Sequence, residues 1–195
     1  MTDTACQNII CAKVANPSFS EIRDRAKIRT TFKNKNFSLL YCGFMLKAGD
    51  KAPDFELKDT DGNKVNLSSM KGGYVALYFY PKDDTPGCTK QACNIRDNYA
   101  GLKGKVKVFG ISLDDEKSHK KFTEKFNLNF PLLCDTEKEV SRKYGVYRKK
   151  QFMGKEFMGI VRSTFVVGKD GKIKGIIEDV DVEYHAQQIL ESLKR

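Results

Sequence analysis

Seven apolar or aromatic residues follow one another without interruption from Tyr74 to Tyr80 (YVALYFY). So short and continuous a run predicts a strand buried on both faces, at the centre of a parallel or mixed sheet. Pro81 ends the run and Lys82-Asp83-Asp84 is a solvated turn. Thr85-Pro86 then has the form of a helix start, with Thr85 at the N-cap and Pro86 at the first helical position, where its missing N–H costs nothing. Helix-compatible residues continue from Thr89 to about Tyr99. The chain is therefore expected to turn from a central strand straight into a helix whose first turn contains Cys88.

The flanking segments carry weaker versions of the same signals. Phe55 to Lys58 and Lys64 to Leu67 alternate around Asp61-Gly62, a hairpin pattern with its usual turn residues. Lys105 to Leu113 (KVKVFGISL) reads as a second core strand and Phe130 to Leu133 as a short third. Between them Phe122 and Phe126 lie four apart, the mark of a helix over Glu116 to Phe126 packing one face. Glu137 to Tyr144 reads as another helix. Ile160 to Val167 and Lys172 to Ile177 flank Gly168-Lys169-Asp170-Gly171 as a second hairpin, and Val182, Ala186, Ile189, Leu190 and Leu193 form the stripe of a last helix. Nothing is predicted for 145–159. Strands alternating with helices, the later strands paired as a hairpin, imply an α/β fold with a mixed central sheet flanked by helices.

A chain of 195 residues suits one domain with a sizeable core. The first 44 residues differ from the rest, with seven basic residues against Asp3, Glu21 and Asp24. They read as an organelle-targeting segment, or as a non-native extension upstream of a start at Met45. The domain is accordingly placed at 45–195. No apolar run approaches the roughly 18 residues of a membrane helix, so no membrane association is expected. The net charge of +10 raises a nucleic-acid reading. Its lysines, however, are interspersed with acids, as in Asp114-Asp115-Glu116-Lys117, and no basic motif is interleaved with aromatics. No nucleic-acid partner is expected.

Six cysteines would suit a disulfide scaffold in a small secreted protein, but the N-terminus has no positive region ahead of its short apolar patch. A reducing compartment follows, where a close cysteine pair is catalytic or metal-binding more often than structural. Zinc fits poorly, because Cys88-x4-Cys93 has no second pair and His119 and His185 are isolated. Both histidines are expected on charged or mixed helix faces, without a role. Cys6, Cys11 and Cys42 are assigned none either, and Cys134 is expected to pack at a strand end.

Cys88 stands apart. Unpaired N–H groups at a helix start favour a thiolate, the nucleophilic form of cysteine; the competing reading is an inert buried thiol. Cys93 lies five residues on, about 7.5 Å along a helix and about 140° around it. A disulfide needs Cα atoms about 4.4–6.8 Å apart. The two sulfurs can therefore bond only if the first turns of the helix unwind, which predicts a redox cycle with a conformational step.

Pro81, Thr85 and Cys88, spaced Pro-x-x-x-Thr-x-x-Cys, resemble the active-site motif of the peroxiredoxins. Cys93 together with Asp83-Asp84-Thr85-Pro86-Gly87-Cys88 resembles the bacterioferritin-comigratory, or Q-type, branch. Gly159-Ile160-Val161-Arg162-Ser163-Thr164-Phe165 is similar to the segment that carries the family's active-site arginine. The resemblance runs from about Leu46 to Arg195. It implies a thioredoxin-like fold and a cofactor-free, metal-free thiol peroxidase acting on hydrogen peroxide and organic hydroperoxides. In that reading Cys88 becomes a sulfenic acid, Cys93 resolves it as an intramolecular disulfide, and thioredoxin or a similar dithiol recycles the enzyme. Thr85 would orient the peroxide, Arg162 would face the thiolate, and Pro81 would shield it. For Arg162 a structural salt bridge is the alternative, and for Cys93 a helix-core thiol. The expected state is a cytoplasmic monomer, or an organellar one if residues 1–44 are a targeting segment. Two other functions compete. A general thiol–disulfide oxidoreductase of the same fold lacks its Cys-x-x-Cys here, and a basic nucleic-acid-binding module lacks a motif.

Overall fold

The sheet is built outward from β3 (Tyr74–Phe79), in which every residue after Tyr74 is buried. The computed structural model describes residues 46–152 and 154–194. In it β3 lies between β4 (Val106–Ser112), which runs parallel, and β8 (Ser163–Val167), which runs antiparallel. Successive side chains of a strand point to opposite faces. Val75, Leu77 and Phe79 thus enter one core layer with Ile111, Tyr144 and Phe165, while Ala76, Tyr78 and Tyr80 enter another with Cys88, Ile95 and Phe122. Two cores explain the unbroken apolar run.

Beyond β4 the sheet continues with β5 (Leu132–Cys134), then β1 (Glu56–Asp59) and β2 (Lys64–Asn66); beyond β8 comes β9 (Ile173–Ile177). The resulting order is β2-β1-β5-β4-β3-β8-β9, a seven-stranded mixed sheet. The layer around Tyr78 is covered by α1 (Pro86–Asp97), α2 (Tyr99–Leu102), α3 (Glu116–Phe126) and α5 (His185–Lys194). The other layer is covered by α4 (Glu139–Lys143) and a 3-10 turn at Leu67–Met70. This is the expected mixed sheet between helices. No helix among the described residues is long and apolar enough to cross a membrane.

Several boundaries differ from the sequence reading. The strand expected over 160–167 is broken: β7 (Lys155–Ile160) ends at Ile160, and Val161 and Arg162 link it to β8. β6 (Tyr147–Phe152) pairs with β7 as a separate two-stranded hairpin, where no element was predicted. Its strands are rich in lysine and lack the apolar alternation that marks a sheet buried on one face. α5 begins at His185, so Val182 precedes it. The expectations for residues 1–44, including Cys6, Cys11 and Cys42, and for a start at Met45 lie outside the described residues.

Gly110 of β4 pairs with Tyr78 of β3. A Cβ there would stand 2.6 Å from Leu132 Cδ2 and 2.7 Å from the Tyr78 hydroxyl and Cζ. Both neighbours are fully buried. Gly110→Ala is therefore expected to destabilise the fold by about 1–3 kcal/mol, the range for an overpacked core. A denaturation midpoint equal to that of the unmodified protein would show that the Tyr78 ring yields without cost.

Candidate active site

Tyr80 is the last residue before the chain leaves the sheet, and Pro81 to Thr85 carry it into α1. Thr85 occupies the N-cap with extended backbone (φ −96°, ψ 148°), and its carbonyl accepts the first helical bond from Thr89 N at 2.8 Å. Its side chain does not cap the helix as expected. Its hydroxyl instead donates to the Lys82 carbonyl at 3.1 Å, which leaves the oxygen lone pairs available to a ligand. Pro86 removes one orphan donor from the helix start. By the geometry of any helix start, the amides of Gly87 and Cys88 have no intrahelical acceptor. Cys88 is buried, with 2% of its surface exposed.

Arg162 reaches this helix start from the break between β7 and β8. Ser163 pairs with Phe79, so the residue before Ser163 lies beside the residue after Phe79, at the end of β3 where α1 begins. Arg162 Nη2 donates to Cys88 Sγ at 3.2 Å, and Nη1 donates to Gln91 Oε1. A Cβ on Gly87 would stand 3.4 Å from Nη2, so the guanidinium lies against the first helical turn. Of the two alternatives for this side chain, a structural salt bridge and a contact with the sulfur, the geometry has the guanidinium on the sulfur. Lys150 of β6 donates to the Ile160 carbonyl at 2.9 Å and ties the hairpin to the strand end that precedes Arg162. Burial, and then Arg162, lower the Lys150 pKa, while Cys88 acts against them.

The loop before α1 is held by side chains that carried no sequence motif. Asp83 is buried and accepts from Tyr80 at 2.7 Å and from Ser118 at 2.8 Å; its own amide donates to Asp114 at 2.9 Å. His119 of α3 is fully buried, with Nδ1 2.8 Å from Asp83 Oδ2 and Nε2 3.2 Å from the Leu133 carbonyl. Both ring nitrogens lie at oxygen atoms, and the contact gives the buried Asp83 side chain a polar partner it would be costly to lack. Burial keeps the Tyr80 phenol well above its ordinary pKa, as a neutral donor. Asp84 takes a left-handed backbone (φ 52°) and is paired with Lys125 of α3 at 2.7 Å. His119 and His185 are thus not idle residues on polar faces. His119 falls on the stripe of Phe122 and Phe126, and His185 on that of Ile189 and Ser192; polar residues on a buried stripe are the signal that would have found them.

The remaining thiols differ in kind. Cys93 is buried on α1 in the same core layer as Cys88. Cys134 ends β5, as expected. Burial first, then the carboxylates of Glu116, Asp83, Asp115 and Asp59, push its pKa up to about 12, so it is an unreactive thiol near neutral pH. Tyr78 stands on the Cys88 side of β3 with its hydroxyl buried and without a hydrogen-bond partner. Burial, and then the nearby Cys88, raise its pKa well above the ordinary value. Among the described residues no cluster of His, Cys, Asp and Glu could hold a metal.

Known proteins share both the chain and its shape. The AhpC/TSA family matches residues 48–176. Peroxiredoxin Bcp of Escherichia coli K12 is 47% identical over 150 residues, 76% of this chain and 96% of its own. Peroxiredoxin Bcp of Bacillus subtilis 168 is 44% identical over 150 residues, again 76% of this chain and 96% of its own. Among solved structures, the bacterioferritin comigratory protein of Xanthomonas campestris, studied for its alkyl peroxide reduction, superposes with a TM-score of 0.70 at 32% identity, covering 76% of this chain and 98% of that one. The strand-to-helix cysteine, the arginine laid upon it and this likeness along the described domain agree: the chain belongs to the AhpC/TSA family, among the Bcp-type peroxiredoxins, which are thiol-dependent peroxidases.

Proposed function

We propose that Cys88 is the peroxidatic nucleophile, with Cys93 as its resolving partner and thioredoxin or a similar dithiol as the reductant. The observation that carries this reading is the Arg162 contact to Cys88 Sγ at 3.2 Å, made where the helix start leaves its amides unpaired. A sulfur anion there faces a guanidinium and backbone dipoles of the right sign. Its attack on one peroxide oxygen breaks the O–O bond. The distal oxygen takes a proton and leaves as water or an alcohol, and Cys88 becomes a sulfenic acid. Arg162 and the amides at the helix start are the donors for the negative charge that moves onto the leaving oxygen. Thr85, with its hydroxyl hydrogen on Lys82, has lone pairs to orient a hydroperoxide proton. Pro81, partly buried between β3 and the loop, limits access of water from that side.

Resolution follows from the same helix. The Cys93 sulfur attacks Cys88 Sγ, water leaves, and a Cys88–Cys93 disulfide forms within one chain. A dithiol then attacks this disulfide through a mixed disulfide and restores both thiols. An intramolecular bond needs no second subunit, which supports a monomer. Recycling of that disulfide by a dithiol fits a reducing compartment such as the cytoplasm.

Cys88→Ser is expected to abolish peroxide consumption in an assay coupled to thioredoxin, its reductase and NADPH, with the fold intact, because an alcohol is a weak nucleophile at neutral pH. Substantial turnover by that variant would remove Cys88 from the reaction. Arg162→Lys is expected to slow sulfenate formation by about 10²-fold, as for the loss of a direct charge-stabilising donor. A lysine cannot span the Cys88 sulfur and Gln91 at once, so an unchanged rate constant would exclude Arg162. For the resolving step, oxidised protein should yield a Cys88–Cys93 peptide and faster amide exchange over Thr85 to Asp97 than reduced protein. Mass mapping that joins Cys88 to any other cysteine, or a disulfide formed with full helix protection, would refute this step.

A further inference from the structure

One buried titratable side chain reaches the site from the last helix without meeting the peroxide or either cysteine. His185 opens α5 and has no exposed surface. Gln91 Nε2 lies 3.0 Å from its Nδ1, and Thr164 Oγ1 lies 2.8 Å from its Nε2. The direction of each bond follows by elimination. A guanidinium has donors only, so Gln91 must turn its carbonyl oxygen to Arg162. The amide N–H2 is then left facing His185, so Nδ1 must be the bare nitrogen that accepts it. The ring proton therefore sits on Nε2, which donates to the Thr164 hydroxyl. Burial and the positive charge of Arg162 hold the His185 pKa down at about 3, so the neutral ring this pattern demands is the form present at neutral pH.

The two ends of a glutamine amide are nearly the same shape, and their partners decide which way it points. Gln91 is fully buried. Without an acceptor at residue 185 its N–H2 would be buried and unpaired, and the side chain gains by turning elsewhere. Arg162 would then lose its second anchor and swing about the remaining one. With that anchor in place, the guanidinium is held at two points.

We propose that His185 is a positioning residue for the peroxidase reaction: its Nδ1 fixes the amide of Gln91, Gln91 fixes Arg162, and Arg162 is thereby held on the Cys88 sulfur. The inference rests on Cys88 as the reacting cysteine.

The test is a single turnover of the fully reduced, full-length protein with hydrogen peroxide, read by trapping the sulfenic acid in a Cys93→Ser background. His185→Phe keeps the size of the ring and removes the acceptor. It is expected to lower the second-order rate constant about 10-fold, less than the ~10²–10³ for removing a direct donor. His185→Asn, whose amide oxygen can take the place of Nδ1, should recover most of that loss. In a Gln91→Ala background, His185→Phe should cause no further fall, because the relay is already cut. A purely structural His185 would lower the melting temperature with the rate of the folded protein unchanged, and its effect would add to that of Gln91→Ala. An unchanged rate in His185→Phe, an equal loss in His185→Asn, or additivity in the double variant would each overturn the proposal. Should His185→Phe fail to fold, Thr164→Val tests the ring from its other side, with a fall of roughly threefold expected from one lost hydrogen bond and an unchanged rate overturning the relay. Failure of the parent Cys93→Ser protein to trap any sulfenate at Cys88 would instead remove the assignment of Cys88, a result separate from differences among the variants.

Discussion

A single contact, a guanidinium resting on a sulfur at the start of a helix, sets most of what this fold must achieve. Cys88 and Arg162 stand 74 residues apart in the chain and 3.2 Å apart in space. β3 delivers the first of them, because its end is followed by the loop and helix that carry Cys88. β8 delivers the second through its antiparallel register with β3, Phe79 against Ser163. A slip of one residue would turn every β8 side chain to the opposite face and carry Arg162 about 3.4 Å along the strand. Both core layers oppose such a slip, since Phe165 packs in one and the Thr164–His185 contact lies in the other. The register that buries β8 is therefore the register that builds the site.

The approach to the helix is fixed with comparable care. Asp83 is held by Tyr80, Ser118, His119 and the carboxylate of Asp114, so the loop is tied both to its own strand and to the ends of β4 and α3. A buried polar pair contributes little net stability against an apolar substitute of the same shape, but removing one partner leaves the other unsatisfied. The Asp83–His119 pair is better understood as a geometric constraint on the loop than as a source of stability. Its consequence is that α1 starts at one place, with Pro86 and Gly87 presenting the first turn to Arg162.

Much of this was legible in the residues. The uninterrupted run from Tyr74 to Tyr80 can be satisfied only between two cores, and Thr85-Pro86 fixes the helix start within a residue. Cys88, Thr85 and Arg162 follow from that start and from the motif. What stayed hidden has physical causes. The Tyr147–Phe152 and Lys155–Ile160 hairpin lies outside the main sheet, and apart from Ile160 at its end its described side chains are exposed or half-buried, so no alternation is imposed. The break at Val161 and Arg162 is invisible to a hydrophobicity pattern, because both flanks are apolar. The burial of His119 and His185 is hidden because their sequence neighbours are charged or mixed. Helical neighbours are three and four residues away, and judged by those positions both histidines fall on buried stripes.

The two halves of the proposed redox cycle would make opposite demands on α1. In that cycle peroxide reduction would keep the helix start intact, since Gln91 reaches Arg162 from within it and the amides of Gly87 and Cys88 there have no intrahelical acceptor. A Cys88–Cys93 disulfide would call for that same start to unwind, since five helical residues separate the two backbone positions by about 7.5 Å of rise. The contacts that resist unwinding lie between the cysteines or just beyond them. Lys90 pairs with Glu183, Gln91 bonds Arg162 and His185, and Asn94 donates to the Glu183 carbonyl at 2.5 Å while accepting from Ala186 N at 2.9 Å. All of them reach either Arg162 or the residues that open α5. Individually such bonds are worth about 0.5–1.5 kcal/mol, few enough in number that local thermal opening can break them while the sheet remains folded. In the proposed cycle the same contacts hold Arg162 on Cys88 and would have to yield for Gln91 to be released, so the two demands meet at the contacts between α1 and the start of α5.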